Sequence, residues 1–243
     1  MGGGGGRDGE GRGLLDGSIV IPAGPGHEEM VERAKESAIG AWRCSPGPFR
    51  RMQIIVEPDW DSTGAAKTRN RGLSSARGEW VIFLDADDLL EERAFFSIEI
   101  AFMTYPKVLG IWGYWSEILR PGDETPPYEE PPFSWEKMVQ PPGLPIGMTG
   151  VFHTRESRLL GFDETMPRTE GTEFCFAFAC NWPVEMIEAP IVLVDHTAMS
   201  AYGRGVQGGQ TTRRTVLLRE RYKERGRVPF TEEEFSARRE AES

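Results

Sequence analysis

The stretch that decides the fold reads Trp80-Val81-Ile82-Phe83-Leu84-Asp85-Ala86-Asp87-Asp88. Its first five residues are all apolar, which predicts a buried strand. The strand stops at three aspartates within four residues. Carboxylates this close repel one another unless a cation or an array of hydrogen-bond donors neutralises them. A divalent cation bound by one or two carboxylates, with phosphate oxygens and water completing its shell, would neutralise them.

Two further buried strands precede this stretch, at residues 18–21 and 52–56. A helix is expected between them over residues 28–42, because apolar residues there recur at every fourth position. A second helix is expected over residues 65–77, closed by Gly78. Strands that alternate with helices predict an α/β fold, with a mainly parallel sheet flanked by helices.

The carboxyl ends of these strands are the expected ligand site, because ligands of open α/β sheets bind beyond those ends. Polar or turn residues follow each predicted strand there, at 22–24, 57–59 and 85–88. The acidic stretch also has a purely structural interpretation, in which Asp87 and Asp88 cap a helix that begins near Leu89. Its place directly after a wholly apolar strand favours the ligand-binding interpretation.

The second half of the chain is less regular. Eight prolines within residues 121–145 predict a loop or lid. The remaining apolar runs predict three strands and two helices. The strands fall at residues 108–118, 149–153 and 190–194, and the helices at 155–160 and 174–180.

Composition excludes several classes of protein. A chain of 243 residues suits one large domain or two small ones, and its net charge of -10 argues against broad binding of nucleic acid. No apolar run approaches the roughly 20 residues that span a bilayer, so no transmembrane segment is expected. The cysteines, Cys44, Cys175 and Cys180, have neither metal-ligand spacing nor a disulfide framework. A reducing, cytoplasmic location follows as the expectation.

The two ends of the chain differ from its middle. Residues 1–17 contain five consecutive glycines and are expected to form a disordered tail, with order beginning at Ser18. Residues 204–243 are expected to form a basic tail or helix, since eight Arg or Lys face two Glu between positions 204 and 227. In one hypothesis, Arg204, Arg213 or Arg214 folds over a bound diphosphate as a lid.

Four stretches fall in the order typical of one family: Ser18-Ile19-Val20-Ile21-Pro22, Ile54-Ile55-Val56-Glu57, Arg69-Asn70-Arg71-Gly72-Leu73 and residues 76–88. Together they resemble the family 2 glycosyltransferases of the GT-A fold. The resemblance extends over about residues 18–200, and residues 69–88 are its most specific part. It implies one GT-A-like domain at 18–203, with a nucleotide-binding half at 18–105 and a compact acceptor half at 106–203.

The resemblance also implies the activity. Such enzymes use a divalent metal, Mn or Mg, and move a sugar with inversion from a nucleotide-sugar donor, usually a UDP- or dTDP-sugar. The sequence identifies neither the acceptor nor the oligomeric state. The resemblance implies that Pro22 and Ala23 contact the base and ribose, that Glu57 or Asp59 reads the uracil ring or ribose, and that Arg69 faces the nucleotide.

Further roles follow from the same resemblance. Asp87 is implied as the metal ligand, with Asp85 nearer the ribose and Asp88 sharing the metal. His196 is implied as a further metal ligand or a phosphate donor, with a structural role as the alternative. A metal there would supply the positive charge that a departing nucleoside diphosphate needs. His27 and His153 have no such context, so no role in the site is expected for them.

A carboxylate base must activate the acceptor hydroxyl. In the family it comes from a Glu-Asp pair opening a helix in the second half, after a stretch similar to Gly161-Phe162-Asp163-Glu164. Thr169-Glu170-Gly171-Thr172-Glu173 occupies that place without the Glu-Asp pair. Glu173 aligns best with the apolar pattern that follows, and Glu170 is the alternative. Either could be an ordinary acidic residue in a first helical turn.

One departure from the family pattern concerns base recognition. Only about a dozen residues separate Val56 from Arg69, so a strand that the family usually has there is missing or reduced to a loop. The choice between Glu57 and Asp59 therefore stays open.

Three rival functions remain to be weighed. A nucleotidyltransferase would carry a Gly-rich loop with a lysine after the first strand, and Gly24-Pro25-Gly26 lacks that basic residue. A catalytically inactive nucleotide-sugar or glycan-binding module on the same fold is the main alternative, because the Glu170–Glu173 segment is irregular. A role for the basic tail on nucleic acid or an anionic membrane surface is the third.

Overall fold

A computed structural model describes residues 15–118, 149–165, 170–179 and 181–195. The proline-rich segment at 121–145 and the basic segment from 204 onward, with the arginines of the lid hypothesis, lie outside these residues, as do residues 1–14 of the expected tail. The first strand begins at Leu15, three residues before the expected start at Ser18. Leu15 is buried and its amide donates to the carbonyl of Pro48, at 2.8 Å.

Seven strands of the described residues form one sheet, in the order β2-β1-β3-β6-β5-β7-β4. The strands are β1 (Leu15–Ala23), β2 (Phe49–Pro58), β3 (Trp80–Phe83), β4 (Asp88–Leu90), β5 (Gly110–Ile118), β6 (Gly150–His153) and β7 (Val184–Asp195). Strand β1 lies parallel to both β2 and β3, as the sequence predicts. The sheet as a whole is mixed rather than mainly parallel, because β6 pairs antiparallel with β3 and β5, and β4 with β7.

Five helices are found in the described part of the chain: α1 (Glu28–Cys44), α2 (Ala65–Ser75), α3 (Ala94–Thr104), α4 (Thr154–Leu160) and α5 (Glu170–Ala179). The predicted helices correspond to α1, α2, α4 and α5. Helix α2 follows β2 with no strand between them, so the strand that the family pattern would place there is absent from this described stretch.

The structural interpretation of the acidic stretch is wrong, since no helix begins near Leu89. Residues Asp88–Leu90 form β4, which pairs antiparallel with β7, and the next helix begins at Ala94. A strand forms here because β7 supplies backbone partners and Leu90 enters the core. Asp87 and Asp88 are therefore not helix caps.

The sheet is buried on both faces, as parallel strands require. Helices α1 and α3 cover one face, where Ile19, Ile21 and Ile82 point. Helices α2 and α5 cover the other, where the alternate residues Val20 and Val81 point. The helices on both faces hold the strands in place, with the carboxyl ends of β1, β2 and β3 along one edge of the sheet. In the described residues, no helix is long and apolar enough to cross a membrane.

Gly72 lets α2 approach β1 closely. A Cβ at this position would lie 2.4 Å from Cγ1 of the fully buried Val20. That spacing forbids any side chain larger than hydrogen unless the helix moves. The glycine of the Arg69–Gly72 motif is thus a packing residue that brings Arg69 close to the strand ends.

We predict that Gly72→Ala lowers the free energy of unfolding by about 1–3 kcal/mol, because the added methyl overpacks against Val20. The exposed Gly40 of α1 has no atom within 4 Å of such a methyl. Gly40→Ala is the matched control and should raise stability by about 0.5–1 kcal/mol through helix propensity. Denaturant unfolding measures both, and equal effects of the two substitutions would contradict the close approach.

Candidate active site

The carboxyl ends of β1 and β2 lie side by side. Pro22 is in register with Glu57, and Ala23 with Pro58. The Ala23 carbonyl accepts a hydrogen bond from the amide of Asp59, at 2.8 Å. The structure therefore brings the four residues expected at the donor base and ribose to one edge, although no contact with a donor tests their roles.

Glu57 is paired with Arg71 of α2. The Nε of Arg71 donates to Oε1 of Glu57 at 2.8 Å, and one of its terminal nitrogens donates to the carbonyl of Pro58 at 2.6 Å. Arg71 was not expected at the site, although it stands inside the Arg69–Gly72 motif. The motif alone could not reveal its partner, because the contact depends on how α2 packs on β2.

Asp59 holds the loop that leads into α2. Its carboxylate accepts hydrogen bonds from the amide and hydroxyl of Thr63, at 2.8 and 2.7 Å, and from the amide of Gly64, at 3.0 Å. Burial by itself would raise the pKa of Asp59. The hydrogen bonds from Thr63 and Gly64 and the charge of Arg71 outweigh it and hold that pKa below its ordinary value.

The acidic stretch forms a tight turn between β3 and β4. The amide of Asp88 donates to the carbonyl of Asp85 at 3.1 Å, which closes the turn that carries the three aspartates. Burial, followed by the charge of Asp85, raises the pKa of Asp87. Burial and the charges of Asp85 and Asp87 raise the pKa of Asp88 to about 8. The repulsion expected from the sequence is therefore present in the folded protein.

His27, for which no role is expected from the sequence, lies close enough to Asp87 to influence its charge. It directly precedes α1, its ring lies beside Gly24, and its charge when protonated favours the ionised form of Asp87. Its Nδ1 is buried and has no hydrogen-bond partner among the described residues. The one available signal was its position shortly after the carboxyl end of β1.

The end of β7 adds an ion pair beside Asp88, between a buried carboxylate and a partly exposed arginine. The amide of Asp195 hydrogen-bonds to the Asp88 carboxylate, and the Asp195 side chain, 0% exposed, pairs with Arg33 of α1 at 2.5 Å. Arg33 was also missed, because its partner lies 162 positions away. The prediction for His196, the next residue along the chain, lies outside the described residues.

Arg69 joins the two halves of the site. Its two terminal nitrogens donate to Oδ1 of Asp85 and to Oε1 of Glu170, each at 2.6 Å. Burial by itself would lower the pKa of this guanidinium, but the charges of Asp85 and Glu170 outweigh burial and raise the pKa. The expectation that Arg69 faces the nucleotide stays a prediction, since both terminal nitrogens bind carboxylates here.

Both candidate bases lie at the start of α5. Glu170 is its first residue, and the contact with Arg69 places it within one guanidinium of Asp85. Glu173 lies one turn further along the helix and is half-buried. The first-turn positions foreseen from the sequence are thus correct, and the helix begins four residues before the predicted start at 174.

Among the residues that the structure describes, no three His, Cys, Asp or Glu side chains converge closely enough to hold a metal ion. The protein side chains of this part of the chain therefore do not form a complete coordination shell. Burial, together with the charges of neighbouring aspartates, raises the pKa of both Asp87 and Asp88.

Comparison with known proteins gives a matching family model and a shared fold. Residues 51–159 match the family model described as glycosyl transferase family 2. The match includes Arg69, Asp85, Asp87 and Asp88, and it confirms the resemblance inferred from the sequence. No curated protein sequence is significantly similar to the chain.

Solved structures of S. aureus TarS share the fold. Its fragment 1-349 in complex with UDP-GlcNAc is 12% identical, with a TM-score of 0.56 over 84% of this chain and 66% of that chain. The same fragment in complex with UDP is 14% identical, with a TM-score of 0.51 over 74% of this chain. This chain covers 60% of that fragment. The likeness confirms the GT-A arrangement of sheet and helices.

We predict that Asp88→Asn stabilises the protein more at about pH 8 than at about pH 5. The pKa of Asp88 is about 8 in the folded protein, against an ordinary 3.8. The folded protein thus retains a proton that the unfolded chain releases, so stability falls as pH rises from about 4 to about 8. Asparagine has no such proton to lose. Thermal unfolding of both proteins at the two pH values measures the difference.

Asp16→Asn is the control for this pH dependence. A hydrogen bond from Arg51 holds the pKa of Asp16 below its ordinary value, so this carboxyl is ionised at both pH values. Its replacement should change the melting temperature equally at each pH. An Asp88→Asn effect that is also independent of pH would contradict the raised pKa.

Proposed function

We propose that this chain, which carries a family 2 glycosyl transferase domain of GT-A fold, transfers a sugar from a nucleotide-sugar donor to an acceptor hydroxyl with inversion at the anomeric carbon. The observation that carries the proposal is the carboxylate turn of Asp85, Asp87 and Asp88 at the edge where β1, β2 and β3 end. Family membership over residues 51–159 supports the reaction class.

A uridine nucleotide sugar is the proposed donor. The nucleotides bound in the TarS complexes, UDP and UDP-GlcNAc, support this class. We assign the base and ribose to Pro22, Ala23 and Glu57. Both carboxylate oxygens of Asp59 accept hydrogen bonds from the loop before α2, which assigns Asp59 to shaping that loop rather than to reading the base.

The acidic turn suits a divalent cation, Mn or Mg, which the carboxylates would share with the phosphate oxygens of the donor. The site is built of carboxylates, the ligands that these hard cations take, and one or two of them suffice when phosphate oxygens and water complete the shell. Asp87 would hold the cation, with Asp85 and Asp88 beside it. When bound, the cation would supply positive charge to the diphosphate oxygens.

The protein's own contribution to the reaction is a carboxylate that accepts the proton of the acceptor hydroxyl. We assign this role to Glu173, with Glu170 as the alternative. Glu170 shares the buried guanidinium of Arg69 with Asp85, and protonating it would leave that charge balanced by Asp85 alone. Glu173 lies one helical turn away on the same element.

One observation favours a second function, an inactive nucleotide-sugar or glycan-binding module. Gly171 follows Glu170, where the resemblance leads one to expect the aspartate of a Glu-Asp pair. Slow release of UDP from UDP-GlcNAc in the presence of Mn separates the two functions. A live transferase commonly uses water as a poor acceptor, whereas a binding module releases no UDP.

A reducing cytoplasmic location is part of the proposal. Both cysteines in the described residues, Cys44 and Cys175, are free thiols. The proposed partners are the donor and an acceptor whose class the chain does not reveal, and nucleic acid is not among them.

We predict that UDP raises the melting temperature more than other nucleoside diphosphates do, and that Mn increases the effect. A ligand that binds only the folded state, supplied at about 100 times its Kd, adds about 2.7 kcal/mol of stability, or roughly 5 °C or more for a chain of this size. A thermal-shift panel of nucleoside diphosphates with and without Mn measures it. No shift with any nucleotide would contradict the proposed donor site.

We predict that Asp87→Ala lowers the rate of UDP release by about 100-fold or more, because the diphosphate loses its cation. The fold should persist, since a carboxylate at a strand end contributes little packing. Glu36→Ala, which removes an exposed carboxylate from α1, is the matched control and should leave the rate unchanged. Substantial activity of Asp87→Ala would refute the assignment.

A further inference from the structure

We propose that Arg69 is a positioning residue, which holds the donor-side carboxylate of Asp85 and the acceptor-side carboxylate of Glu170 on one guanidinium. In this role it acts on the reaction through α5 rather than by contact with the nucleotide. Glu170 is then the anchor of α5 and not the proton acceptor. The inference rests on the proposed glycosyl transfer.

The geometry of the bridge is specific. The two terminal nitrogens of Arg69 each bind a different carboxylate at 2.6 Å, and these carboxylates come from residues 16 and 101 positions away along the chain. The side chains of Arg69 and Glu170 are 6% and 14% exposed, whereas that of Asp85 is 32% exposed. Arg69 therefore fixes the buried side of Asp85, while the exposed side of this carboxylate stays accessible to a ligand.

The guanidinium also packs on the aromatic pair that anchors α5. Its Cζ lies 5.7 Å from the ring centroid of Phe162. That ring stacks on Phe174 of α5, with centroids 4.3 Å apart and an angle of 13° between the planes. Phe174 lies one turn beyond Glu170, so the same contacts that fix Arg69 also fix the start of the helix.

Asn70, the next residue, holds the loop that contains Phe162. Its side-chain amide donates to the carbonyl of Phe162 at 3.0 Å and accepts from the amide of Phe162 at 2.8 Å. It also donates to Glu164 at 2.9 Å. Arg69 thus binds the first carboxylate of α5, and the adjacent Asn70 binds the loop before that helix. These two contacts explain why the motif has an arginine followed by an asparagine.

A lysine cannot replace Arg69 in this role. It keeps the positive charge, but its single nitrogen does not reproduce the planar fork that binds two carboxylates on separate N–H groups. Arg69→Lys therefore preserves the charge balance of the site while it releases one carboxylate. Removal of the charge altogether would leave the partly exposed Asp85 and the largely buried Glu170 without their shared cation.

The test measures kcat and KM for UDP release from UDP-GlcNAc with Mn, and the Kd for UDP, in the full chain and in Arg69→Lys. We expect kcat to fall by about 10- to 100-fold, because loss of alignment at a reacting centre has an effect of this order. The Kd for UDP should change by less than about threefold, since Arg69 does not touch the nucleotide in this role. The double variant Arg69→Lys/Glu170→Gln should lose no more than the worse single variant.

Arg158→Lys is the matched structural control. Arg158 of α4 donates to the backbone carbonyls of Leu73 and Ala76 and so ties α4 to α2 without touching a carboxylate of the site. Its replacement should leave kcat within about twofold of the parent value, whatever it does to stability. Identical kinetics of Arg69→Lys and Arg158→Lys would overturn the proposal. So would a tenfold or greater loss of UDP affinity in Arg69→Lys with kcat unchanged.

Glu170→Gln carries the test if Arg69→Lys does not fold. If Glu170 is a positioning residue, Glu170→Gln lowers kcat but kcat still falls at acidic pH as in the parent protein. If kcat of the variant no longer falls at acidic pH, Glu170 is the base and the inference is overturned. Failure of the proposed function is distinguished by the parent protein, which would then release no UDP, whether or not it binds UDP. A double-mutant cycle on the free energy of unfolding gives the coupling between Arg69 and Glu170, and so tests the bridge without an activity assay.

Discussion

Mutual repulsion among carboxylates at one edge of the sheet organises the rest of the site. Three arginines from the flanking helices compensate part of this charge: Arg69 binds Asp85 and Glu170, Arg71 binds Glu57, and Arg33 binds Asp195. Asp87 and Asp88 have no such arginine among their contacts in the described residues, and their pKa values are raised. In the proposed function, this less fully compensated charge is the place for a cation and a diphosphate.

The fold makes this concentration of charge possible. Helices cover both faces of the sheet, so β3 and residues 19–21 of β1 are apolar and buried, and the acidic turn follows directly after β3. Gly72 allows α2 to lie close to β1, and from that position Arg69 reaches carboxylates in both halves of the chain. Packing of this helix therefore places Arg69 between Asp85 and Glu170.

Local patterns in the sequence predicted much of this arrangement. The apolar runs of β1, β2 and β3 and the periodicity of α1 are local signals, and each predicted element is present. The helix near Leu89, which the alternative interpretation of the acidic stretch required, is absent because β7, a strand about a hundred residues away, pairs with that segment. The partnerships of Arg33 and Arg71 and the approach of His27 to Asp87 depend on tertiary packing, which a short stretch of sequence does not encode.

Calorimetric titration of the full chain with Mn and UDP, repeated in two buffers of different ionisation enthalpy, tests the central claim most directly. Burial and the neighbouring aspartates raise the pKa of Asp88 to about 8, so this carboxyl carries a proton in much of the protein near pH 7, and a bound cation displaces that proton. The account predicts joint binding of Mn and UDP with net release of protons near pH 7, and less release in Asp88→Asn. Joint binding with no release of protons, or no binding of Mn in the presence of UDP, would contradict it.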